Sequence, residues 1–266
     1  MIGKMIRPYA EVIGDPVAHS KSPLIHNFWL KKLGIDAEYR KTQVRPDELA
    51  AYFEQARTDS YWRGCNVTIP HKSAVLPFLA AIDPAAAPIG AVNTIIASKL
   101  LHGFNTDVIG IMDPLCRTGF TGKRALLIGA GGAAKAALAA FRQLGISKVT
   151  VANRSEDKAR LVHSNVIGLD RPLPPVDLLF NATSLGMTGQ PQLDLDLAVL
   201  PDNCIVFDAV YAPLDTPLLL AARKRGLRTI DGLSMLVGQA AVAFELFFGQ
   251  AAPREYDAEL RAVLTA

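Results

Sequence analysis

Gly129-Ala130-Gly131-Gly132-Ala133-Ala134 follows the apolar run Ala125-Leu126-Leu127-Ile128 and opens an alanine-rich stretch of helical character. Glycines at a strand-to-helix turn let backbone amides approach a pyrophosphate, and the dipole of the following helix favours its charge. The string has the form G-x-G-x-x-A, which is weak evidence alone. Its context supplies the rest. Lys148-Val149-Thr150-Val151-Ala152 reads as the next strand, so a β-α-β unit closes within about thirty residues. A dinucleotide is therefore the expected ligand, held at Gly129, Ala130, Gly131, Gly132 and Ala133.

The end of the second strand separates NAD from NADP. An NAD site places Asp or Glu there, to accept from the ribose 2′-hydroxyl. This chain has Asn153-Arg154-Ser155, with Lys158 one helical turn on. A planar, permanently charged guanidinium suits a 2′-phosphate. Glu156 and Asp157 argue the other way, but acids in a first helical turn follow from the dipole alone. NADP is favoured.

Bulk properties fit a soluble enzyme. A chain of 266 residues with 50% hydrophobic content buries a sizeable core and has length for two modest domains. A net charge of +3 is too small to point to nucleic acid or an anionic membrane. Cys65, Cys116 and Cys204 are odd in number and widely spaced, so neither a disulfide framework nor a zinc site is expected. The five histidines offer no metal-ligand spacing, and no metal is expected. Met1 to Ala18 reads as lacking the apolar core of a signal peptide, and no apolar run is long enough for a membrane span. Cytoplasmic is the default expectation.

Strand-like and helix-like stretches alternate nearly throughout, which predicts α/β layers. Strands are expected at Tyr9–Ile13, Glu38–Gln43, Gly64–Val67, Ala91–Ala97 and Leu100–Phe104. Helices are expected from Ser22-Pro23 to about Leu33, with Ser22 at the cap, and over Asp47–Ala56. From about Val108 the pattern becomes a nucleotide-binding half with strands at 125–128, 148–152, 177–181, 204–208 and 227–230. Val166 to Pro175 leaves little room for a full helix there. Leu233–Phe248 is a long amphipathic helix, and a last helix covers Glu255–Leu264.

Four polar clusters stand out in the first half. Ser20-Lys21-Ser22-Pro23 puts two hydroxyls at a helix N-terminus, a seat for a carboxylate. Asn66-Val67-Thr68-Ile69-Pro70-His71-Lys72 leaves a strand and is expected to turn at Pro70 into a helix. Asn93-Thr94 interrupts an apolar strand, and Asn105-Thr106-Asp107 ends the half. Turn chemistry explains any one of these taken singly. Four of them near strand ends of one layer fit a ligand edge better.

These strings resemble the shikimate dehydrogenase family. The resemblance continues through Gly90-Ala91-Val92, the glycine turn, Asn181-Ala182-Thr183-Ser184 and Asp231-Gly232-Leu233 to Gln239, in family order from about residue 9 to residue 245. It implies an α/β chain of two domains. The first is an N-terminal α/β substrate domain over residues 1–107, completed by returning helices at 237–266. The second is a Rossmann-type NADP-binding domain over 108–236. The implied reaction is the reversible NADPH-dependent reduction of 3-dehydroshikimate to shikimate, on the route to aromatic amino acids. By the same resemblance Ser20 and Ser22 hold the ring carboxylate, and Thr68, Asn93, Asp107, Tyr211 and Gln239 bind ring hydroxyls. Lys72 and Asp107 form the catalytic pair, and both also touch substrate. The cofactor set is Gly129, Ala130, Gly131, Gly132, Ala133, Asn153, Arg154, Ser155, Lys158, Thr183, Ala209 and Gly232. His19 and His71 flank these strings and are read as wall or packing residues.

Two departures from the family pattern bear on the site. Val108 stands where Gly is usual after the Asn-Thr-Asp string, and a β-branched residue limits backbone freedom beside Asp107. Lys158 stands where Arg is common, keeping the charge but losing bidentate geometry. Alternatives are a quinate/shikimate paralogue with relaxed cofactor or substrate choice, a non-catalytic NADP-binding sensor, and a folate-type dehydrogenase. The intact Lys72, Asp107 and Gln239 weigh against the sensor, and no string suggests a pterin slot. The expected partner is a small-molecule substrate, with neither nucleic acid nor membrane, in a monomer or homodimer.

Overall fold

A computed structural model of the chain describes residues 7–97 and 100–266; residues 1–6, part of the stretch read for a signal peptide, and 98–99 lie outside them. The chain divides into two compact units. One holds the residues up to Thr106 together with Gln239–Ala266, the other Asp107–Gly238.

The first unit is built on a six-stranded sheet. Its strands are β1 (Tyr9–Gly14), β2 (Glu38–Gln43), β3 (Trp62–Val67), β4 (Ala81–Ile82), β5 (Thr94–Ile96) and β6 (His102–Phe104), in the order β2-β1-β3-β5-β6-β4. The first three run parallel, whereas β5 is antiparallel to both β3 and β6. The carboxyl ends of β1, β3 and β6 and the amino end of β5 therefore share one edge. Helices α1 (Ser22–Leu33) and α2 (Leu49–Thr58) connect the parallel strands. Pro23 sits in the first turn of α1, and Gly34, left-handed at φ 64°, ends it behind Lys31 and Lys32.

Three local expectations are corrected here. The cap position of α1 is Lys21, not Ser22; the Ser22 amide instead donates to the Ser20 hydroxyl at 3.3 Å. No α-helix follows Pro70. After a cis Ile69–Pro70 peptide the chain makes a single turn, with Val75 N–H donating to the His71 carbonyl, and ends in a 3₁₀ turn at Leu76–Phe78. Six residues between Pro70 and Pro77 are too few to recover the cost of nucleating a helix, and a residue before proline avoids helical dihedrals. The strand expected from Ala91 begins only at Thr94. The Val92 amide is drawn to the Lys72 carbonyl at 2.7 Å, and the Asn105 side chain donates to the Ala91 carbonyl.

The second unit is doubly wound. It opens with α3 (Asp107–Arg117), then β7 (Arg124–Ile128), α4 (Gly132–Gln143), β8 (Lys148–Asn153), the short α5 (Glu156–Arg160) and β9 (Val166–Gly168). The second half has β10 (Leu178–Asn181), β11 (Ile205–Asp208), α6 (Pro217–Lys224), β12 (Arg228–Ile230) and α7 (Gly232–Phe248). All pairings are parallel, and the order β12-β11-β10-β7-β8-β9 reverses direction between β7 and β10, where such sheets bind ligands. Strand β9, absent from the sequence reading, pairs only three residues with the end of β8. No helix separates β9 from β10. Val108 lies buried in the first turn of α3, and no non-glycine residue among those described has positive φ. A β-branched residue is therefore accommodated without left-handed strain.

Helix α7 crosses from one unit to the other. From Gln239 onward it belongs to the first unit, where Ala243 and Phe247 join the core of Ala10, Val12 and Tyr39, and α8 (Asp257–Thr265) follows. Among the described residues no helix is long and apolar enough to cross a membrane, and no group of three His, Cys, Asp or Glu could hold a metal ion.

Asp177 fastens the second sheet at its lower rim. Its carboxylate accepts from Arg124 Nη2 at 2.6 Å and from the amides of Lys123 and Arg124 at 2.9 Å. These donors, Arg124 foremost, pull its pKa from 3.8 down to about 2. A carboxylate depressed in the folded state contributes stability that is fully present above its unfolded pKa and lost as pH falls. Thermal unfolding should therefore lose stability between about pH 4 and pH 2. Asp177→Asn should lower Tm at neutral pH and flatten that acid limb, measured by calorimetry across the range; an unchanged limb would remove Asp177 as its source.

Candidate active site

The shared edge of the first unit is polar and out of water. Asn66, Asn93, Thr94, Thr106 and Gln239 are all more than nine-tenths buried. Asn66 Nδ2 donates to Thr94 Oγ1 at 2.9 Å, and the Thr94 hydroxyl donates to Asn93 Oδ1 at 3.1 Å. The Thr106 amide donates to the same oxygen at 2.7 Å, while Asn93 Nδ2 donates to Thr106 Oγ1 at 3.0 Å. The Thr106 hydroxyl reaches Gln239 Oε1 at 3.3 Å. Residues far apart in sequence are thus held as one group because each buried polar atom needs a partner.

Six of the sequence-derived site residues fall in this unit: Ser20, Ser22, Thr68, Lys72, Asn93 and Gln239. Thr68 leaves the end of β3 with its amide on the Ile13 carbonyl at 2.9 Å. A Cβ on Gly14 would sit 2.4 Å from Thr68 Cγ2, so the glycine lets this turn close over β1. Lys72, half-buried, is fixed through its backbone carbonyl by Val92. Its neighbour His71 is fully buried, with Nε2 2.6 Å from the Val44 carbonyl, whereas His19 is exposed. Asp107, 5% exposed, and Tyr211 belong to the second unit. Burial raises the pKa of the Tyr211 phenol.

The second unit carries the glycine turn where β7 meets β10. Gly129 has φ 109°, and its amide donates to the Ala152 carbonyl; a Cβ there would come within 2.9 Å of Thr183 Cγ2. Gly131 is exposed, and an added Cβ would meet nothing within 4 Å. Behind it α4 starts with no side-chain cap, so its first amides face outward as an anion-binding terminus does. Ala130, Gly132 and Ala133 continue the turn, partly buried. At the end of β8, Asn153 Nδ2 donates to the Ser155 carbonyl, and the Ser155 hydroxyl accepts from the Lys158 amide. Arg154 and Lys158 are exposed, and neither joins an ion pair among the described residues, while Glu156 is engaged by Arg160 at 2.9 Å. An open cradle flanked by unpaired cations fits a phosphorylated dinucleotide.

Gly232 and Ala209 meet on the other side of the turn. A Cβ on Gly232 would lie 2.3 Å from the Ala209 carbonyl oxygen, so only glycine lets α7 start against the exit of β11. The sequence reading assigned no role to the residues that brace this region. Asp208, fully buried, accepts from Asn181 Nδ2 at 2.9 Å, Thr216 Oγ1 at 2.7 Å and the Val210 amide at 3.0 Å. Burial raises its pKa against the effect of those donors. Asn181 in turn accepts from the Thr183 hydroxyl at 2.7 Å. A signal was available: Asn181 and Asp208 each close an apolar strand with a polar residue.

A doubly wound sheet with an open glycine cradle, in a chain whose other α/β unit gathers buried amides and hydroxyls, defines a two-domain nicotinamide-nucleotide dehydrogenase. Residues 12–95 match the family model of the shikimate dehydrogenase substrate binding domain, 116–184 that of shikimate / quinate 5-dehydrogenase, and 232–259 that of the shikimate 5′-dehydrogenase C-terminal domain. The chain belongs to the shikimate dehydrogenase family. It is 52% identical to shikimate dehydrogenase (NADP(+)) of Sphingopyxis alaskensis, covering 97% of each chain. Among solved structures it is similar to shikimate 5-dehydrogenase of Thermus thermophilus in complex with NADP(H) and shikimate, with TM-score 0.86, 34% identity and 96% and 99% of the two chains covered. It is also similar to the Listeria monocytogenes enzyme in complex with shikimate and NAD, with TM-score 0.88, 29% identity and 98% and 97% covered.

The two turn glycines should respond differently to a methyl group. Gly129→Ala places a Cβ against Thr183 at a left-handed φ and should cost about 1–3 kcal/mol. Gly131→Ala meets no atom and should leave Tm nearly unchanged. Equal melting shifts for the two variants would contradict the packing described.

Proposed function

We infer that this chain catalyses the reversible NADPH-dependent reduction of 3-dehydroshikimate to shikimate, a step of aromatic amino-acid biosynthesis. The carrying observation is the buried polar edge of the first unit, in a chain 52% identical to a shikimate dehydrogenase over nearly its whole length. An edge of fixed amides and hydroxyls suits a polyhydroxylated ring, and rejects rings lacking a hydroxyl because its own buried groups are then left unpaired.

In this reading Ser20 and Ser22 hold the ring carboxylate, and Thr68, Asn93, Asp107, Tyr211 and Gln239 hold ring hydroxyls. NADPH, when bound, supplies the hydride. The turn Gly129–Ala133 takes its pyrophosphate, with Asn153, Arg154, Ser155 and Lys158 at the 2′-phosphate and Thr183, Ala209 and Gly232 beside the nicotinamide. Lys72 Nζ gives a proton to the carbonyl oxygen as negative charge builds there, and the neutral amine takes it back in the oxidation direction. Asp107 favours the charged ammonium and orients it. The functional division is a substrate domain over 1–107 completed by 237–266, and an NADP domain over 108–236. With soluble substrate and cofactor, the enzyme works in the cytoplasm as a monomer or homodimer.

The replacement of Arg by Lys at position 158 favours a relaxed cofactor choice. A lysine keeps the charge without a bidentate grip on the phosphate. Lys158→Arg should raise the NADP/NAD ratio of kcat/KM, and an unchanged or lower ratio would refute the assignment.

Purified protein mixed with shikimate and NADP should show rising reduced-nicotinamide absorbance, with quinate and NAD as poorer comparison substrates. Lys72→Ala should lower turnover by about 100- to 10,000-fold, while calorimetry finds shikimate affinity changed only modestly. Retained turnover in that variant would exclude Lys72 as the acid-base group.

A further inference from the structure

We propose that Tyr39 is the positioning residue that sets the donor–acceptor pattern of the substrate edge, through a buried chain running Tyr39–Asn66–Thr94–Asn93–Thr106–Gln239. The proposal rests on the reading of that edge as a shikimate site.

Tyr39 lies on β2, two strands away from β3 in the order of the sheet, and is 3% exposed. Its hydroxyl donates to Asn66 Oδ1 at 2.6 Å. That proton acts together with two backbone groups, the Asn93 carbonyl and the Thr106 amide, to orient the side chains beyond it. With Oδ1 turned to Tyr39, Asn66 Nδ2 donates to Thr94 Oγ1 at 2.9 Å and to the Asn93 carbonyl at 3.2 Å. The Thr94 oxygen has then accepted, so its own proton goes to Asn93 Oδ1 at 3.1 Å. Asn93 Oδ1 also takes the Thr106 amide, which leaves Asn93 Nδ2 as donor to Thr106 Oγ1 at 3.0 Å. The Thr106 hydroxyl has two acceptors at 3.3 Å, Gln239 Oε1 and Asn93 Oδ1, and so ties the glutamine to the asparagine. Each amide in the series is thereby held in one of its two flips. The reverse flip of Asn66 would set its oxygen against the Asn93 carbonyl.

The anchor itself is rigid. Tyr39 exchanges two hydrogen bonds with the Asn27 side chain, its amide donating at 2.9 Å and its carbonyl accepting at 2.8 Å. Its ring stacks on His26 with centroids 4.0 Å apart and planes within 6°. His26 is fully buried, and burial lowers its pKa to about 3, so the stack is between neutral rings. Burial likewise raises the Tyr39 phenol well above its ordinary value, which keeps it a donor. Tyr39 touches no reacting atom. It acts through Asn93 and Gln239, whose amides distinguish a hydroxyl from a hydrogen on the ring.

Tyr39→Phe keeps the ring and removes the proton. The expected result is about a tenfold fall in kcat/KM for shikimate, the equivalent of one net hydrogen bond, carried by KM, with the KM for NADP unchanged. The ratio of kcat/KM for shikimate over analogues lacking one non-reacting ring hydroxyl should fall as well, because freed amides no longer enforce the pattern. Thr94→Val should reproduce this and Thr94→Ser should not, which keeps the test open if Tyr39→Phe folds poorly. His26→Phe, which retains the stack and the tyrosine hydroxyl, should alter Tm but not the ratio. Melting shifts in Tyr39→Phe and Thr94→Val with the shikimate KM and analogue ratio at parent values would overturn the proposal. A parent enzyme that binds NADP but does not oxidise shikimate would instead overturn the reading of the site, and this inference with it.

Discussion

Polar atoms taken out of water must find partners, and that constraint organises both units. At the edge of the first sheet, two asparagines, two threonines and a glutamine hydrogen-bond to one another in series, drawn from β3, β5 and the residue before it, the end of β6 and α7. Apolar side chains could pack these strands in several registers. An amide that must donate to one hydroxyl and accept from another permits only one, and the groups proposed to face substrate inherit that precision. The antiparallel β5 is part of the same device, since it brings the Asn93-Thr94 pair to the edge where β3 ends.

The same rule operates in the second unit with a different cast. Asp208 and Asn181 close adjacent parallel strands and bind each other, Thr216 and the Val210 amide. Their bonds fix the backbone on one side of the β7/β10 crevice, while Gly129 and Gly232 fix it by lacking a side chain. Close approach of backbone to backbone and pairing of buried polar groups are complementary means to one end. Each holds a loop still at the carboxyl ends of strands, where a ligand meets the sheet.

Much of this was legible in the residues. The glycine turn, its flanking strands, Arg154 at the end of the second strand and the four polar clusters of the first half all announce themselves by pattern. Boundaries were less legible where two interactions competed. Pro70 reads as a helix start, but Pro77 arrives too soon for a helix to form. Ala91-Val92 reads as strand, but its backbone is claimed by Lys72 and Asn105. Ser22 reads as a cap, yet the serine two residues earlier accepts the hydrogen bond.

By itself the sequence determined the α/β class, the dinucleotide turn and the preference for a 2′-phosphate, because these follow from local periodicity, charge and backbone freedom. Only the tertiary structure decided that Tyr39, Asn66, Thr94 and Thr106 stand behind Asn93 and Gln239, and that Asp208 stands behind Thr183. Those roles depend on which strands lie side by side and in what register, and hydrogen bonds between residues 27 or 133 positions apart leave no periodic trace in the chain.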